Sequence, residues 1–235
     1  MTYKIISVLL MICLSSSNTF KTNTDPKLVA ANAPVTFESK VNSAYSELKN
    51  ANFSIPNMQS FSSALEGFYQ LKEKGKIQKD ILTIIDFTLS STEKRMWVID
   101  MNTHKVLYHT LVAHGRNTGE EFAKQFSNKE ESYQSSLGFY ATAETYIGKH
   151  GFSLRLDGLE KGINDKARDR AIVIHGADYV SEKFVKQTGR LGRSQGCPAL
   201  PVELTKDIIN VIKDNSCLFI YYPSPKYTVQ SKLVS

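Results

Sequence analysis

A buried strand that leads into a glycine-rich loop is predicted by AIVIHGADYVSEKFVKQTGRLGRSQGCPALP, residues 171–201. The apolar run 171–174 has the length and β-branched content of a buried strand, and His175 stands where this strand ends. The loop 189–196, rich in glycine and arginine, then leads to Cys197. A histidine at a strand end and a cysteine on such a loop are the components of a thiolate nucleophile and its general base.

Acyl transfer through a thioester is the chemistry that this pair predicts. A free thiol has a pKa of about 8.5, so it needs help to become the attacking thiolate at neutral pH. Arg190 and Arg193 lie seven and four positions before Cys197 and are expected to favour the charged sulfur. His175 is expected to accept the thiol proton and return it to a leaving amine. The amides of Gly196 and Cys197 are predicted to form an oxyanion hole, in which each donor contributes about 3 kcal/mol.

Two other interpretations of these residues stay open from the sequence alone. His175 could be a histidine satisfied inside the core. A zinc site would use His114, His175 and Cys197, although no two of these ligands have the close spacing that zinc sites usually show. The sequence contains neither a G-x-S-x-G motif nor a phosphate-binding loop. We therefore predict no metal and no cofactor.

The composition is that of a globular protein with one main domain. Of the 235 residues, 41% are hydrophobic and 10% aromatic, which is enough for one core and a small additional segment. The formal net charge is +6, which suits anionic partners. The basic residues are scattered and form no Lys/Arg block, so nucleic-acid binding is not predicted.

Export is predicted by the first 17 residues. Lys4 precedes an apolar segment, residues 5–14, and small residues follow it, which is the pattern of a secretory signal peptide. This segment is about ten residues long, too short to span a bilayer comfortably. The alternatives are an uncleaved apolar anchor and a lipid attached at Cys13, although Ile12 is not the small residue that a lipid site would favour. We expect a periplasmic or cell-envelope protein with no stable membrane span after signal removal.

Two cysteines remain once the predicted signal peptide is removed. A disulfide between Cys197 and Cys217 is possible in an oxidising compartment. However, Cys217 begins the apolar run 217–222, which predicts a buried strand in which this cysteine is a small core residue.

Short strands dominate the predicted secondary structure after residue 80. Two amphipathic helices are predicted before it, because apolar residues recur at steps of three and four in 41–48 and 58–71. A single late helix is predicted to begin at Pro201. The predicted strands are 81–89, 95–101, 105–113, 137–146, 153–156, 171–174 and 218–222. This pattern predicts a mainly β domain, a sandwich or partly closed barrel with one late helix.

The residues around Cys197 resemble a known family. Ser194-Gln195-Gly196-Cys197, with the upstream His175-Gly176, is similar to the signature of the murein L,D-transpeptidase catalytic domain, which has the YkuD-type fold. The similarity is greatest to the branch with an Arg-Ser-x-Gly-Cys-Pro motif. Other segments that look like this branch are HGRNTG (114–119), FSN (126–128), SLGFY (136–140) and KHG (149–151). The resemblance covers roughly residues 80–223.

The resemblance implies a function and a set of site residues. Cys197 would be the nucleophile and His175 its base, and the substrate would be the stem peptide of peptidoglycan. The thiolate would attack the carbonyl of the third, diamino-acid residue and expel the terminal D-amino acid. The residues that we assign to catalysis are Cys197, His175 and Gly196, and those assigned to substrate binding are Arg193, Arg190, His114, Ser194 and Tyr179.

The acyl acceptor is left open by the resemblance. An amine of a neighbouring stem peptide or of a carrier protein would make the protein an L,D-transpeptidase, and water would make it an L,D-carboxypeptidase. A wall-binding protein without turnover is the alternative from another class. The chain departs from the commoner family motif at Gln195, where that motif has a second histidine, and at Gly176, where it often has serine. Neither departure removes the nucleophile or the base.

The predicted segments follow from these assignments. They are a signal peptide (1–17), a linker (18–37), a helical segment (38–75), an L,D-transpeptidase-like domain (76–225) and a tail (226–235).

Overall fold

The structure is a computed structural model, and it describes residues 36–48 and 53–234. The predicted signal peptide and the predicted linker up to residue 35 lie outside the described residues. All of the described residues belong to one unit of the chain. Within this described part, no helix combines the length and the apolar character that crossing a membrane requires.

Two helices precede the sheet, as the apolar spacing predicts. Helix α1 comprises Phe37–Glu47 and helix α2 comprises Met58–Glu73. Each begins at a polar cap, since the side chains of Thr36 and Asn57 accept a hydrogen bond from the amide three residues further on. The predicted helical segment is thus confirmed, and Gly75 follows the end of α2 in a left-handed conformation, with φ of 64°.

Eight strands form one sheet that is nearly closed. They are β1 (Ile81–Asp86), β2 (Met96–Asp100), β3 (Lys105–Thr110), β4 (Gly138–Gly148), β5 (Gly151–Gly158), β6 (Val173–Gly176), β7 (Ala199–Leu200) and β8 (Cys217–Tyr221). Their order in space is β3-β2-β1-β8-β4-β5-β6-β7. Ala113, just after β3, forms a bridge with Ala199 of β7, and its amide donates to the Ala199 carbonyl at 2.9 Å. The first and last strands of the order therefore meet, as in a barrel.

Three helices follow β6 in the chain: α3 (Glu182–Thr188), α4 (Val202–Ile212) and α5 (Pro225–Gln230). Helix α4 is the predicted late helix, and its isoleucines at 208, 209 and 212 are fully buried. It packs against β5, β6 and β1. Strand β8 is buried along its whole length, as its continuous apolar sequence predicts.

Helix α2 packs closely on the sheet at Gly67. A Cβ atom at this position would lie 2.1 Å from the ring of Phe139 in β4, so only glycine allows the approach. The Phe139 ring in turn stacks on Phe219 of β8, with ring centroids 4.2 Å apart. The N-terminal helical segment therefore shares the core of the domain.

Helices α3 and α5 and strand β7 are not predicted by the sequence patterns. Helix α3 buries none of its side chains and α5 buries one, so neither carries an apolar stripe that could reveal it. Strand β7 has only two residues. With these additions the fold is mixed α/β, and the predicted partly closed barrel with a late helix and a helical N-terminal segment is confirmed.

The segment predicted to be a tail is held to the domain by Glu160. This carboxylate is 5% exposed and accepts hydrogen bonds from the Tyr227 hydroxyl at 3.0 Å, the Ser231 hydroxyl and the Phe139 amide. Burial raises the pKa of Glu160, and its three hydrogen bonds offset this rise only in part. The described chain after residue 225 is thus anchored to the sheet.

Candidate active site

The sheet brings Cys197 and His175 to the same edge. Strand β6 pairs in parallel with β7, with His175 opposite Ala199. Cys197 lies two residues before Ala199 and Val173 lies two residues before His175, so the register places Cys197 beside Val173. The Val173 amide accordingly donates to the Cys197 sulfur at 3.5 Å. His175, two residues further along β6, lines the same cleft as Cys197.

Both residues open into one cleft of about 770 Å³. Its rim carries charges of both signs. The acidic residues in its lining are Glu130, Glu131 and Asp169, and the basic ones are Lys149, Arg170 and Arg193. The aromatic residues in its lining are Tyr133, Tyr146 and Tyr179. A cleft of this size and mixed charge suits a peptide that carries both ammonium and carboxylate groups.

His175 has the tautomer that a general base requires. Its Nδ1 lies 2.9 Å from the carbonyl of Gly176, and since a carbonyl only accepts, Nδ1 carries the proton. Nε2 is left with a lone pair that can take a proton. The ring is 3% exposed and stacks on His150, with centroids 4.3 Å apart. Burial lowers the pKa of His175, and the nearby His150 lowers it further, so the base is neutral at pH 7.

Cys197 is a free thiol, partly exposed to the cleft. Its sulfur lies 3.6 Å from the carbonyl of Ala171, to which the S–H group donates. Burial of the sulfur raises the pKa of the thiol, while the Val173 amide and the charge of Arg170 act against that rise. The thiol of Cys197 is therefore protonated at neutral pH, and a base would be needed to form its thiolate.

Cys217 has the structural role that its sequence context predicts. It is fully buried in β8 and forms no disulfide with Cys197. Burial raises its pKa far beyond the range in which a thiolate forms.

Arg170 is the cation beside the sulfur of Cys197, and the sequence interpretation missed it. Its Nη2 would lie 3.3 Å from a Cβ atom placed on Gly196. The guanidinium donates to the Ser127 carbonyl and the Ser136 hydroxyl from Nη1, and to the Ser132 hydroxyl and the Gln134 carbonyl from Nη2. All four acceptors are neutral, and the charge of Arg170 acts on the sulfur of Cys197 as well as on the carboxylate of Glu130. These bonds also hold the loop 127–136 against the cysteine turn.

We expect Arg170→Gln to slow the alkylation of Cys197 by iodoacetamide about tenfold at neutral pH, because loss of the charge raises the thiol pKa. The matched control is Arg168→Gln. Arg168 lies two residues away on the surface and pairs with Glu144 and Asp157. Alkylation rates measured from pH 6 to 10 (roughly the range of thiol titration) would give the thiol pKa in each variant. Equal pKa values in the folded Arg170 and Arg168 variants would contradict this role.

Arg190 and Arg193 do not act as the predicted neighbours of the thiol. Arg193 donates from Nη1 to the carbonyls of Arg116 and Gly119 and to the Glu120 carboxylate, at 3.0, 3.1 and 2.6 Å. Arg190 pairs with the other oxygen of Glu120 at 3.2 Å. One carboxylate thus engages both guanidinium groups. These contacts hold the loop 116–120 against the loop 189–196 that precedes Cys197. Of the two arginines, only Arg193 also lines the cleft.

His114 is buried in the domain and does not line the cleft that holds Cys197, whereas the sequence predicts that it binds substrate. It is 1% exposed, its Nδ1 accepts from the Arg95 guanidinium at 2.8 Å, and its Nε2 donates to the Gly119 carbonyl at 3.2 Å. Burial, assisted by the charge of Arg95, lowers the pKa of His114 to about 4. Neither ring nitrogen is left for a substrate or for zinc. Among the described residues, no group of three or more potential ligands could hold a metal ion.

Ser194 and Gly196 shape the turn that presents Cys197. The Ser194 hydroxyl donates to the Cys197 carbonyl at 2.6 Å and accepts from the Gly196 amide at 3.0 Å. Gly196 has φ of 125°, a conformation that side-chain-bearing residues rarely adopt. The Gly196 amide, predicted to face an oxyanion, is thus engaged inside the turn, whereas the amide of Cys197 lies beside its own sulfur.

Tyr179 lines the same cleft as Cys197 and His175. Its ring packs over Gly192, where a Cβ atom would lie 2.4 Å from the tyrosine side chain. Burial and the proximity of Cys197 raise the pKa of Tyr179 to about 12, so the phenol keeps its proton at physiological pH.

The chain matches the L,D-transpeptidase catalytic domain family over residues 54–221, which include all eight strands and the whole cysteine loop. The protein therefore belongs to the L,D-transpeptidase catalytic domain family. This family acts on peptidoglycan, and its enzymes typically depend on a cysteine. Membership of the particular motif branch named above stays a prediction.

Solved structures of similar proteins are distant in sequence. The L,D-transpeptidase from Mycobacterium smegmatis is 11% identical, over 61% of this chain and 59% of that one, with a TM-score of 0.37. The helical cell shape determining protein Pgp2 from Campylobacter jejuni is 14% identical, over 83% of this chain and 57% of that one, with a TM-score of 0.42. The protein thus spans less than two thirds of either chain. Comparison with curated proteins gives no match.

Proposed function

We propose that the protein is a cysteine-dependent L,D-transpeptidase that acts on peptidoglycan stem peptides in the periplasm or cell envelope. One observation carries the proposal: the β6–β7 register places a neutral histidine, with Nε2 free to accept a proton, and a cysteine thiol in the same open cleft. The cation beside the sulfur and the amide of Val173 support the charge that the sulfur acquires on reaction.

The proposed reaction begins with proton transfer from the Cys197 thiol to Nε2 of His175. The sulfur attacks the carbonyl carbon of the third residue of the stem, and the carbonyl oxygen takes up the negative charge. The Cys197 amide and the Tyr179 phenol are the donors placed to stabilise it. His175 then gives its proton to the nitrogen of the terminal D-amino acid, the C–N bond breaks, and a thioester remains.

The second half of the reaction returns the thiol. An amine of another stem peptide attacks the thioester carbonyl and loses a proton to His175. The C–S bond breaks, a new amide forms, and the proton goes back to sulfur. The acidic residues at the rim, Glu130, Glu131 and Asp169, are suited to attract the ammonium groups of a diamino acid, and Lys149 is suited to its carboxylate.

The test is to incubate the purified protein with a disaccharide-tetrapeptide and to follow the products by mass spectrometry. A transpeptidase is expected to give the acyl-enzyme on Cys197 and a cross-linked dimer. Release of the tripeptide alone would assign the protein as an L,D-carboxypeptidase. No acyl-enzyme and no product would support a wall-binding protein without turnover.

A carbapenem is expected to acylate Cys197 at a stoichiometry of one. Its strained amide suits attack by a thiolate beside an oxyanion hole. Intact-mass measurement should show one adduct in the wild type and in Cys217→Ala. An adduct that persists in Cys197→Ala would contradict the assignment of the nucleophile.

A further inference from the structure

Seven lysines line two neighbouring clefts away from the catalytic cleft, and we call this surface the lysine face. The first cleft, of about 420 Å³, is lined in part by Lys124, Lys129 and Lys226. The second, of about 460 Å³, is lined in part by Lys74, Lys76, Lys161 and Lys232. Ile163 and Gln230 line both, so the two clefts adjoin. Neither cleft shares a lining residue with the catalytic cleft.

The positive charge of the lysine face is not neutralised by the protein. All seven lysines are exposed, and none forms an ion pair with a carboxylate of the described residues. The one carboxylate in the lining of the two clefts is that of Glu160, which is buried and already accepts three hydrogen bonds. The catalytic cleft, by contrast, mixes acidic and basic residues. The lysine face therefore carries local positive charge that no carboxylate of the described residues pairs with.

The shape of the lysine face suits a flexible chain and not a flat surface. The apolar residues lie recessed between the lysines: Leu71 and Leu233 are buried, and the rings of Phe126 and Tyr222 are half-buried with centroids 5.0 Å apart. Recessed apolar groups cannot insert into a bilayer. A polymer that carries carboxylates at intervals can enter the clefts and place its charges among the lysines.

We propose that the lysine face is a second binding site for peptidoglycan, which it holds through the free carboxylates of the stem peptides. The choice of this polymer rests on the proposed function. Binding there would keep the protein on its polymeric substrate while the separate catalytic cleft engages one stem at a time. Because the attraction is electrostatic and solvent-exposed, it is weakened by salt.

The test measures co-sedimentation of the Cys197→Ala protein with purified peptidoglycan sacculi at about 0.05 M and about 0.5 M salt. The test variant carries Lys→Glu changes at 124, 161, 226 and 232. The matched control carries Lys→Glu changes at 94, 105, 183 and 206, all of which are exposed and outside the two clefts. The two variants have the same net charge, so a difference between them reports position alone.

We expect the lysine-face variant to bind sacculi about tenfold more weakly than the control at low salt, and the difference to vanish at high salt. Circular dichroism and melting temperature check that both variants fold. Equal affinity in the two variants would overturn the proposal. Binding to phosphatidylglycerol vesicles that depends on the lysine face, with unchanged binding to sacculi, would also overturn it and would indicate a membrane instead.

This result is separable from the proposed enzymatic function. With Cys197 restored, the lysine-face variant is expected to turn over a soluble disaccharide-tetrapeptide at the wild-type rate, since none of the changed residues lies in the catalytic cleft. Weaker binding to sacculi in a protein that shows no turnover would support the second site and reject the enzyme. Turnover of the tetrapeptide, combined with equal binding of the two lysine variants to sacculi, would support the enzyme and reject the second site.

Discussion

Cys197→Ala is expected to abolish acyl transfer from a disaccharide-tetrapeptide and to leave the melting temperature within a few degrees of the wild type. The Cys197 thiol is the proposed nucleophile, and without it no thioester can form. Its removal costs little packing, because the side chain is partly exposed and its two polar contacts are long, at 3.5 and 3.6 Å. Mass spectrometry of the products and a thermal melt measure the two effects.

The matched control is Cys217→Ala, which removes the same atom from a different environment. Cys217 is fully buried in the central strand β8, so its loss leaves a small cavity that destabilises the fold by about 1 kcal/mol. Turnover should stay near the wild-type rate at a temperature where the variant is folded. Retained turnover in Cys197→Ala would contradict the first step of the proposed mechanism.

His175→Gln is expected to lower kcat/KM by about a hundred- to ten-thousandfold, since a positioned general base typically contributes that much. Glutamine can still hydrogen-bond but cannot accept the thiol proton. The wild type should lose activity as the pH falls below the ordinary histidine pKa of about 6.5. Activity is lost on the acidic side because burial lowers the pKa of His175. The neutral ring, which is the active form, persists at pH 7 and is protonated only in more acidic solution.

His109→Gln is the control for this substitution. His109 is also a stacked histidine, with its ring 4.7 Å from that of Trp97, and burial also lowers its pKa, but it lies outside the cleft. Its replacement should leave both kcat/KM and the acid limb of the pH profile unchanged. An acid limb that survives in His175→Gln would show that another group titrates.

Local signals explain what the sequence could predict. His175 and Cys197 each stand at a change of pattern, from an apolar run to a turn and from glycines to prolines, so their place at loop ends could be deduced. The barrel-like sheet followed from the alternation of short strands and turns. Helix α3 could not be predicted, because it buries no side chain and so has no apolar period.

The charges of the site could not be assigned from the sequence, because they depend on contacts between distant segments. Arg190 and Arg193 are close to Cys197 in the chain, yet Glu120 binds both across the surface. Arg170 and Arg168 look equivalent in the sequence, yet one contacts the cysteine turn and the other faces solvent. His114 has a motif-like context, but the buried Arg95 occupies its Nδ1 atom.

The position of β8 has a consequence for the folding of the protein. This strand is the last of the described strands in sequence, yet it lies in the middle of the sheet, between β1 and β4. Until β8 joins the sheet, β1 and β4 each present an open edge to the solvent, and such edges recruit strands of other chains. The central pairing joins segments more than 130 residues apart, as between Leu82 and Cys217, which favours slow folding. The sheet thus stays incomplete, and open to aggregation, until residues 217–221 have paired with β1 and β4.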